Sequence, residues 1–439
     1  MALEQLDSII DAKWLIPVVP EGKILNHHSL LIRHGKIVDI IPTREVMGRY
    51  QSIHHIKLDN HALLPGFVNS HCHSPMSLMR GIADDLPLKA WLEKHIWPLE
   101  AKFLDEQYVA DGTSLAVAEM IRSGTTCLVD QYFYPETSAE IISEIGFRAR
   151  LGLPIIDIPT NWAKNIDEYF EHGLKLTQDY MNHPLISCQF SPHAPYTVSD
   201  DALKRISTLS TELEIPIQMH IHETIHEIQE AMAEDDMRPL QRLENLGLLG
   251  PELQAVHMTQ ITEQEISKLA SYGIQVIHCP ESNMKLASGI CPVTDLMAAG
   301  INVALGTDGA ASNNDLDMIS EMRSAAFLAK VSTHDATALS AAQVLSMATI
   351  NGAKAIGLEE QIGSLEAGKQ ADITAIDLSG LEQQPIYNPI SQIIYSSDRK
   401  QVTDVWVAGR HLMKDRLLTT IDIDSVSNKA IEWQKKFSS

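Results

Sequence analysis

At 439 residues the chain is long enough to bury a large core, and with 44% hydrophobic and 21% charged residues it has the composition of an ordinary globular enzyme. Its 34 Lys and Arg stand against 57 Asp and Glu, a formal net charge of -23, so its surface repels a phosphate backbone and anionic lipid. Nucleic acid and membranes are thereby excluded as expected partners, and a small molecule is left.

Glu4 and Asp7 precede any apolar run, and no stretch of about 18 apolar residues follows, so neither a secretory leader nor a membrane span is expected and the cytoplasm is the expected location. The head reads as short β pieces at 14–19, 29–33 and 37–41, the last two joined at His34-Gly35-Lys36 as a hairpin. From 63 onward, apolar strand-like runs at 63–70, 126–132, 149–156, 185–190, 217–222, 254–257, 273–278 and 302–306 alternate with amphipathic helices such as 105–123, 200–214 and 262–272. That alternation predicts an α/β fold, a (β/α)8 TIM barrel. A doubly wound open sheet is the alternative, but no Gly-rich phosphate loop follows the first run. After a helical stretch at 341–357, β texture returns at 372–377 and 402–407 with a turn at 408–410. Two β-rich ends flanking a barrel can pair into one small β-sandwich. The expected organisation is sandwich (1–60), barrel (61–362), sandwich again (363–421) and a closing helix (422–439). The five cysteines are scattered without C-x-x-C spacing and read as reduced, mostly buried thiols.

His71-Cys72-His73 ends the first barrel run. Imidazoles one residue apart on a strand point to the same face and can reach one ion, whereas Cys72 faces the other way and packs. Further candidates end other runs: His220 and His222 the fifth, His257 the sixth, with Asp308 following the eighth. In such a barrel these strand ends converge over the mouth, and satisfied core histidines would have to reach those positions by coincidence. Nitrogen ligands plus a carboxylate, with one position left for water, make an open catalytic site. One divalent ion is expected, since 185–193 holds no Lys to bridge two, and the donor set favours zinc. Glu223, three residues after His220, would reach the reacting centre, its plainer reading being a solvent-facing carboxylate on a first helical turn. His257 is either a ligand or an imidazole held by Asp308 that orients the attacking water. His278 is either a support for the site or a packing residue, and 74–94 is the segment expected to close over the mouth.

The stretches Leu64-Pro65-Gly66-Phe67-Val68-Asn69-Ser70-His71-Cys72-His73, Ser191-Pro192-His193-Ala194-Pro195-Tyr196, His220-Ile221-His222-Glu223, His278-Cys279-Pro280-Glu281-Ser282-Asn283 and Gly306-Thr307-Asp308-Gly309-Ala310-Ala311-Ser312-Asn313-Asn314 occur in this order. Together they resemble the amidohydrolase superfamily, in its mononuclear deaminase and chlorohydrolase branch, and the tail at 363–372 is similar to that family's return into its β-sandwich. Within the branch, Gly81-Ile82-Ala83-Asp84-Asp85-Leu86-Pro87-Leu88, Trp91-Leu92 and Ile96-Trp97-Pro98-Leu99-Glu100 look like the deaminases of 5'-methylthioadenosine and S-adenosylhomocysteine. The resemblance implies that His71, His73, His220 and Asp308 hold the metal, that Glu100 takes the ribose hydroxyls, and that His193 and Glu223 contact the purine. It implies hydrolysis of the 6-amino group to the inosine analogue and ammonia. Glu223 would protonate N1, Asp308 would take the proton of the attacking water, and His257 would stabilise the tetrahedral centre.

One departure bears on the substrate. Relatives that accept S-adenosylhomocysteine place Arg beyond the third strand, and this chain has no Arg between Leu151 and Lys204. Methylthioadenosine is therefore the expected preference over S-adenosylhomocysteine or adenosine, its neutral tail lying against Phe133, Tyr134 or Trp162. The competing readings are guanine deamination or removal of an amine or chloride from a triazine on the same scaffold. From another class comes a catalytically silent barrel serving as an assembly module, which would tolerate loss of the ligands present here. A homodimer is the base-rate expectation.

Overall fold

The computed structural model describes residues 3–438. The chain begins with β1 (Glu4–Leu15), β2 (Leu25–Arg33), β3 (Lys36–Pro42) and β4 (Tyr50–Pro65). Next come β5 (Phe67–Cys72), β6 (Thr125–Asp130), β7 (Arg148–Ile155), β8 (Ile186–Pro192), β9 (Ile217–Ile221), β10 (Leu253–His257), β11 (Gln275–His278) and β12 (Val303–Leu305). The last four are β13 (Ile373–Asp377), β14 (Val402–Val407), β15 (Arg410–Lys414) and β16 (Leu417–Leu418).

Strands β5 to β12 form one parallel sheet in sequence order. Its two edges are brought together where Asp308 N donates to the His71 carbonyl at 3.0 Å and Asn69 Nδ2 donates to Thr307 Oγ1 at 2.7 Å. The expected (β/α)8 barrel is thus observed. Period-2 alternation decides what each strand contributes: on β9, Met219 and Ile221 join the main apolar cluster, while Gln218 and His220 take the opposite face. The helices between strands start where the sequence supplies caps. Asp105 accepts from Tyr108 N ahead of helix Glu106–Arg122, whose buried stripe includes Val109, Ala116, Val117 and Met120.

Both chain ends meet in a second sheet, ordered β16-β15-β14-β13-β4-β1-β2-β3, in which head strand β4 pairs antiparallel with tail strand β13. It is one continuous eight-stranded sheet. The expected run at 63–70 divides at Gly66, with 63–65 ending β4 and 67–72 forming the first barrel strand. A Cβ at Gly66 would lie 2.1 Å from the Thr126 side chain, so only glycine lets the chain cross there. Of the piece expected at 14–19 only 14–15 is strand, the end of a long strand starting at Glu4, and 16–19 lie outside it. A register shift between Ala12 and Trp14 breaks its alternation, which hides it from a period-2 reading. The expected helix at 341–357 is two, Ala341–Met347 and Ile350–Ala355, while the closing helix runs Ile423–Phe437. All five cysteines are free. Among the described residues no helix is long and apolar enough to cross a membrane.

The sheet is pinned to the barrel by a buried ion pair. Arg148, at the start of β7, makes two bonds to Asp372, at 2.7 and 3.0 Å, and Asp372 also accepts from Ala408 N. Replacing Arg148 by Met leaves that carboxylate buried and unpaired, and a loss of about 3 kcal/mol is expected in urea unfolding followed by circular dichroism. An unchanged midpoint would mean that water reaches Asp372 or that the pair contributes nothing.

Candidate active site

His71 lies in β5, His73 follows it, His220 lies in β9, His257 ends β10 and Asp308 follows β12. The barrel brings all five side chains to one mouth. Asp308 Oδ1 lies 3.2 Å from His73 Nε2 and 3.5 Å from His71 Nε2, and His71 Nε2 lies 3.1 Å from His220 Nε2. Ligand atoms of His71, His220 and His257 fall within 4.8 Å of one another, as do those of His71, His73 and Asp308. The expected set is therefore assembled, with the exception of His222.

Local backbone geometry decides that exception. His222 has φ +54°, just beyond the end of β9, and this turns its ring away so that Nε2 accepts from Leu240 N at 3.2 Å. The simple rule that alternate residues share a face fails where the strand stops. His257 and Asp308 also have positive φ, +76° and +61°, conformations that cost a non-glycine residue about 1–3 kcal/mol and recur at functional sites. Gly306 permits the closure beside them, since a Cβ there would lie 2.7 Å from His71 N.

The nitrogens are fixed from behind. Gln218 Nε2 donates to the Ser70 carbonyl at 3.0 Å, so its Oε1 must accept from His71 Nδ1 at 2.8 Å. His73 Nδ1 donates to the Gln131 carbonyl at 2.6 Å, and His220 Nδ1 to the His193 carbonyl at 2.7 Å. Each ring is left with an Nε2 lone pair facing inward. Two such lone pairs 3.1 Å apart, on His71 and His220, repel each other unless a cation lies between them. Burial holds the His71 and His220 imidazoles below their ordinary pKa, in the neutral form that ligates. A divalent metal ion therefore fits this donor set.

Asp308 is oriented just as firmly. Its Oδ2 accepts from Ser282 at 2.6 Å and Ser312 at 2.9 Å, and its Oδ1 accepts from Gly309 N at 2.8 Å while facing the histidines. Burial disfavours its charge, but the His71 and His73 rings beside it overcome this and hold the carboxyl well below the usual range. The hold expected of Asp308 on the His257 ring comes instead from Asn283, whose Oδ1 lies 2.9 Å from His257 Nδ1. Both oxygens of Asp308 are already engaged elsewhere, which leaves the amide of Asn283, on the short helix Pro280–Lys285, to meet that nitrogen.

Glu223 is buried and its Oε2 lies 3.8 Å from His257 Nε2. It precedes the helix Ile225–Asp235 and is not the solvent-facing first-turn residue of the plainer reading. Burial, with Asp308 adding to it, pushes its carboxyl up to about 8, so near neutrality it carries a proton. Its backbone N donates to Glu227 Oε2 at 2.7 Å, and His222 N donates to Glu227 Oε1 at 3.0 Å, which clamps the turn.

A cavity of about 430 Å³ opens above this cluster, lined by His73, His193, His220, Glu223, His257 and Asp308 at its floor. Glu100, on helix Trp97–Phe103, stands on its wall and accepts from the Tyr132 hydroxyl at 2.6 Å. His193, directly after β8, is held through Nδ1 against Thr197 Oγ1 at 2.9 Å, and burial lowers it to about 4, a neutral ring. Leu88, Trp91, Leu92, Phe133, Ile156 and Ile158 make the outer part apolar, and among the described residues no Lys or Arg lines the cavity. Of the three apolar groups expected against the substrate tail only Phe133 reaches it. Trp162 is buried elsewhere, against Tyr169 and His172, and Tyr134 does not line the cavity. The expected closing segment at 74–94 contains the short helices Ser74–Met79 and Leu88–Trp91, and both reach the cavity, the first through Met76 and the second through Leu88 and Trp91. His278 is buried with its Nδ1 unpartnered, pushed down to about 3, and does not line the cavity.

Sequence reasoning missed the supports: Gln218, Glu227, Asn283, Ser282, Ser312 and Tyr132. Some were signalled. Gln218 is two residues before His220 on the same strand face, and Asn283, Ser282 and Ser312 lie inside the matched stretches. Nothing in the sequence marked Tyr132 or Glu227.

The model of the amidohydrolase family matches residues 62–412. The 5-methylthioadenosine/S-adenosylhomocysteine deaminase of Saccharophagus degradans is 51% identical over 430 residues, 98% of this chain and 96% of that one. Among solved structures, an adenosine deaminase from Xanthomonas campestris with bound zinc superposes with a TM-score of 0.98 at 47% identity, covering 100% of both chains. The atrazine chlorohydrolase TrzN from Arthrobacter aurescens, complexed with zinc, gives 0.90 at 20% identity over 97% of this chain and 99% of its own, a likeness of fold alone.

Proposed function

The chain belongs to the amidohydrolase family, and from that premise we propose that it hydrolyses the 6-amino group of 5'-methylthioadenosine, releasing ammonia and the inosine analogue. The observation that carries this reading is a single cavity joining an inward-facing imidazole and carboxylate cluster, the buried Glu223 and a wall carboxylate, Glu100. His71, His73, His220 and Asp308 would hold one divalent ion, zinc by its donor set. Such an ion, when bound, acts as a Lewis acid and lowers the pKa of water to about 7.

The chain's own residues supply the rest. Glu223 donates its proton to N1 of the purine, which makes C6 electrophilic. Asp308 accepts the proton of the attacking water through Oδ1 and passes it to the amino group that leaves as ammonia, and the serines on Oδ2 keep that oxygen aimed. His257, fixed by Asn283, faces the developing tetrahedral centre with Nε2. His193 contacts the purine edge, and Glu100 accepts from the ribose hydroxyls. A bare guanine or triazine ring has no use for Glu100, which is why the nucleoside reading is preferred to those alternatives. Ammonia release from methylthioadenosine, guanine and melamine, measured side by side, tests it; turnover confined to a free ring would replace the substrate.

The tail end of the cavity sharpens the choice among nucleosides. S-adenosylhomocysteine carries an amino-acid carboxylate, for which the lining offers no Lys or Arg among the described residues. One missing charge-assisted contact is worth about 1.5–3 kcal/mol, so kcat/KM for methylthioadenosine is expected to exceed that for S-adenosylhomocysteine by about tenfold or more. Equal efficiency on the two would show that the carboxylate finds a partner outside the cavity.

A further inference from the structure

Among the described residues Glu100 is the only carboxylate on the cavity wall away from the Asp308 and Glu223 floor, and something must aim it. A glutamate side chain turns almost freely about its last torsion, so an unheld carboxylate loses affinity each time it is ordered by a ligand. Tyr132 supplies the hold. It lies two residues beyond β6, is buried, and donates its hydroxyl to Glu100 Oε1 at 2.6 Å. Oε2 receives no bond from the protein among the described residues and is left for a ligand.

The tyrosine is itself braced. Its ring packs against Phe133 at 5.6 Å and against Tyr108 at 6.3 Å. Tyr108 in turn meets Trp433 of the closing helix edge-on at 5.3 Å, and Trp433 Nε1 donates to Asp111 at 3.0 Å. A chain of rings thus runs from the C-terminal helix to the cavity wall. Burial pushes the Glu100 carboxyl up to about 7, and the Tyr132 bond opposes that, favouring the anion that accepts from hydroxyls.

We infer that Tyr132 is a positioning residue for ribose recognition, its hydroxyl fixing one oxygen of Glu100 so that the other meets the vicinal diol of the nucleoside. This rests on the proposal that Glu100 takes the ribose hydroxyls. Tyr132 itself touches no reacting atom, so its removal acts on binding of the diol and not on the chemical step.

The test is steady-state kinetics of metal-loaded wild type, Tyr132→Phe, Glu100→Gln and the double variant on methylthioadenosine and its 2',3'-dideoxy analogue. Phenylalanine keeps the ring packing, and metal content and circular dichroism check the fold. Tyr132→Phe is expected to raise KM for the ribonucleoside about tenfold with kcat within about threefold, and to leave the dideoxy analogue within about threefold of wild type. In the Glu100→Gln background the same substitution should add nothing on either substrate, because there is no anion left to aim. Equal losses on both substrates would mark Tyr132 as merely structural and overturn the inference, as would undiminished discrimination between them. If Glu100→Gln leaves the ratio of the two substrates untouched, the ribose reading of Glu100 fails first and takes the role of Tyr132 with it; that result is read without Tyr132→Phe.

Discussion

Glu223→Gln is expected to reduce turnover of methylthioadenosine by at least ~100-fold while bound metal stays at the wild-type level. Glutamine fills the same space and keeps the backbone bond to Glu227, but it has no proton to give to N1. The sign of the pH dependence follows from the same group. Glu223 is held up to about 8, so the protonated, donating form prevails below that value and is lost as pH rises through it. Wild-type kcat/KM should therefore fall on the alkaline side, and the residual activity of Glu223→Gln should lack that limb. Kinetics across pH with parallel metal analysis decide the matter; near-normal turnover by the variant removes Glu223 from proton transfer.

Asp308→Asn is expected to cost more, about 10³-fold or beyond, and to lose metal as well. An amide is a weaker ligand than a carboxylate and cannot accept the proton of water. It would also present either an oxygen or an NH2 group to the inward nitrogens of His71 and His73, which now share Asp308 Oδ1. Metal content separates the two substitutions: retained in Glu223→Gln, depleted in Asp308→Asn. Full metal occupancy with full activity in Asp308→Asn would overturn both roles given to that carboxylate.

Much of the site is legible in the sequence because its side chains lie at regular places on regular elements. His71 and His73 share a strand face, and His220, His257 and Asp308 each stand at or just past the end of a strand, so a periodic reading of the runs brings them to one mouth. Where the backbone leaves the regular region that reading fails. His222 pairs with His220 by spacing but is turned away by a positive φ, and of the three aromatic groups expected at the substrate tail only Phe133 reaches the cavity. The partner of His257 is Asn283 and not Asp308, because which polar group stands behind a ring depends on how a strand end and a helix far apart in the chain approach, and no spacing encodes that.

Hydrophobic period, charge and residue type are local properties, so the alternation of strands and helices, the acidic surface and the chemical inventory of the mouth are all present in the order of residues. Which lone pairs face inward, how far burial lifts Glu223 and Glu100, and the placing of the closing helix behind Tyr132 are not. These depend on desolvation and hydrogen-bond direction, which arise when segments far apart in the chain are packed together.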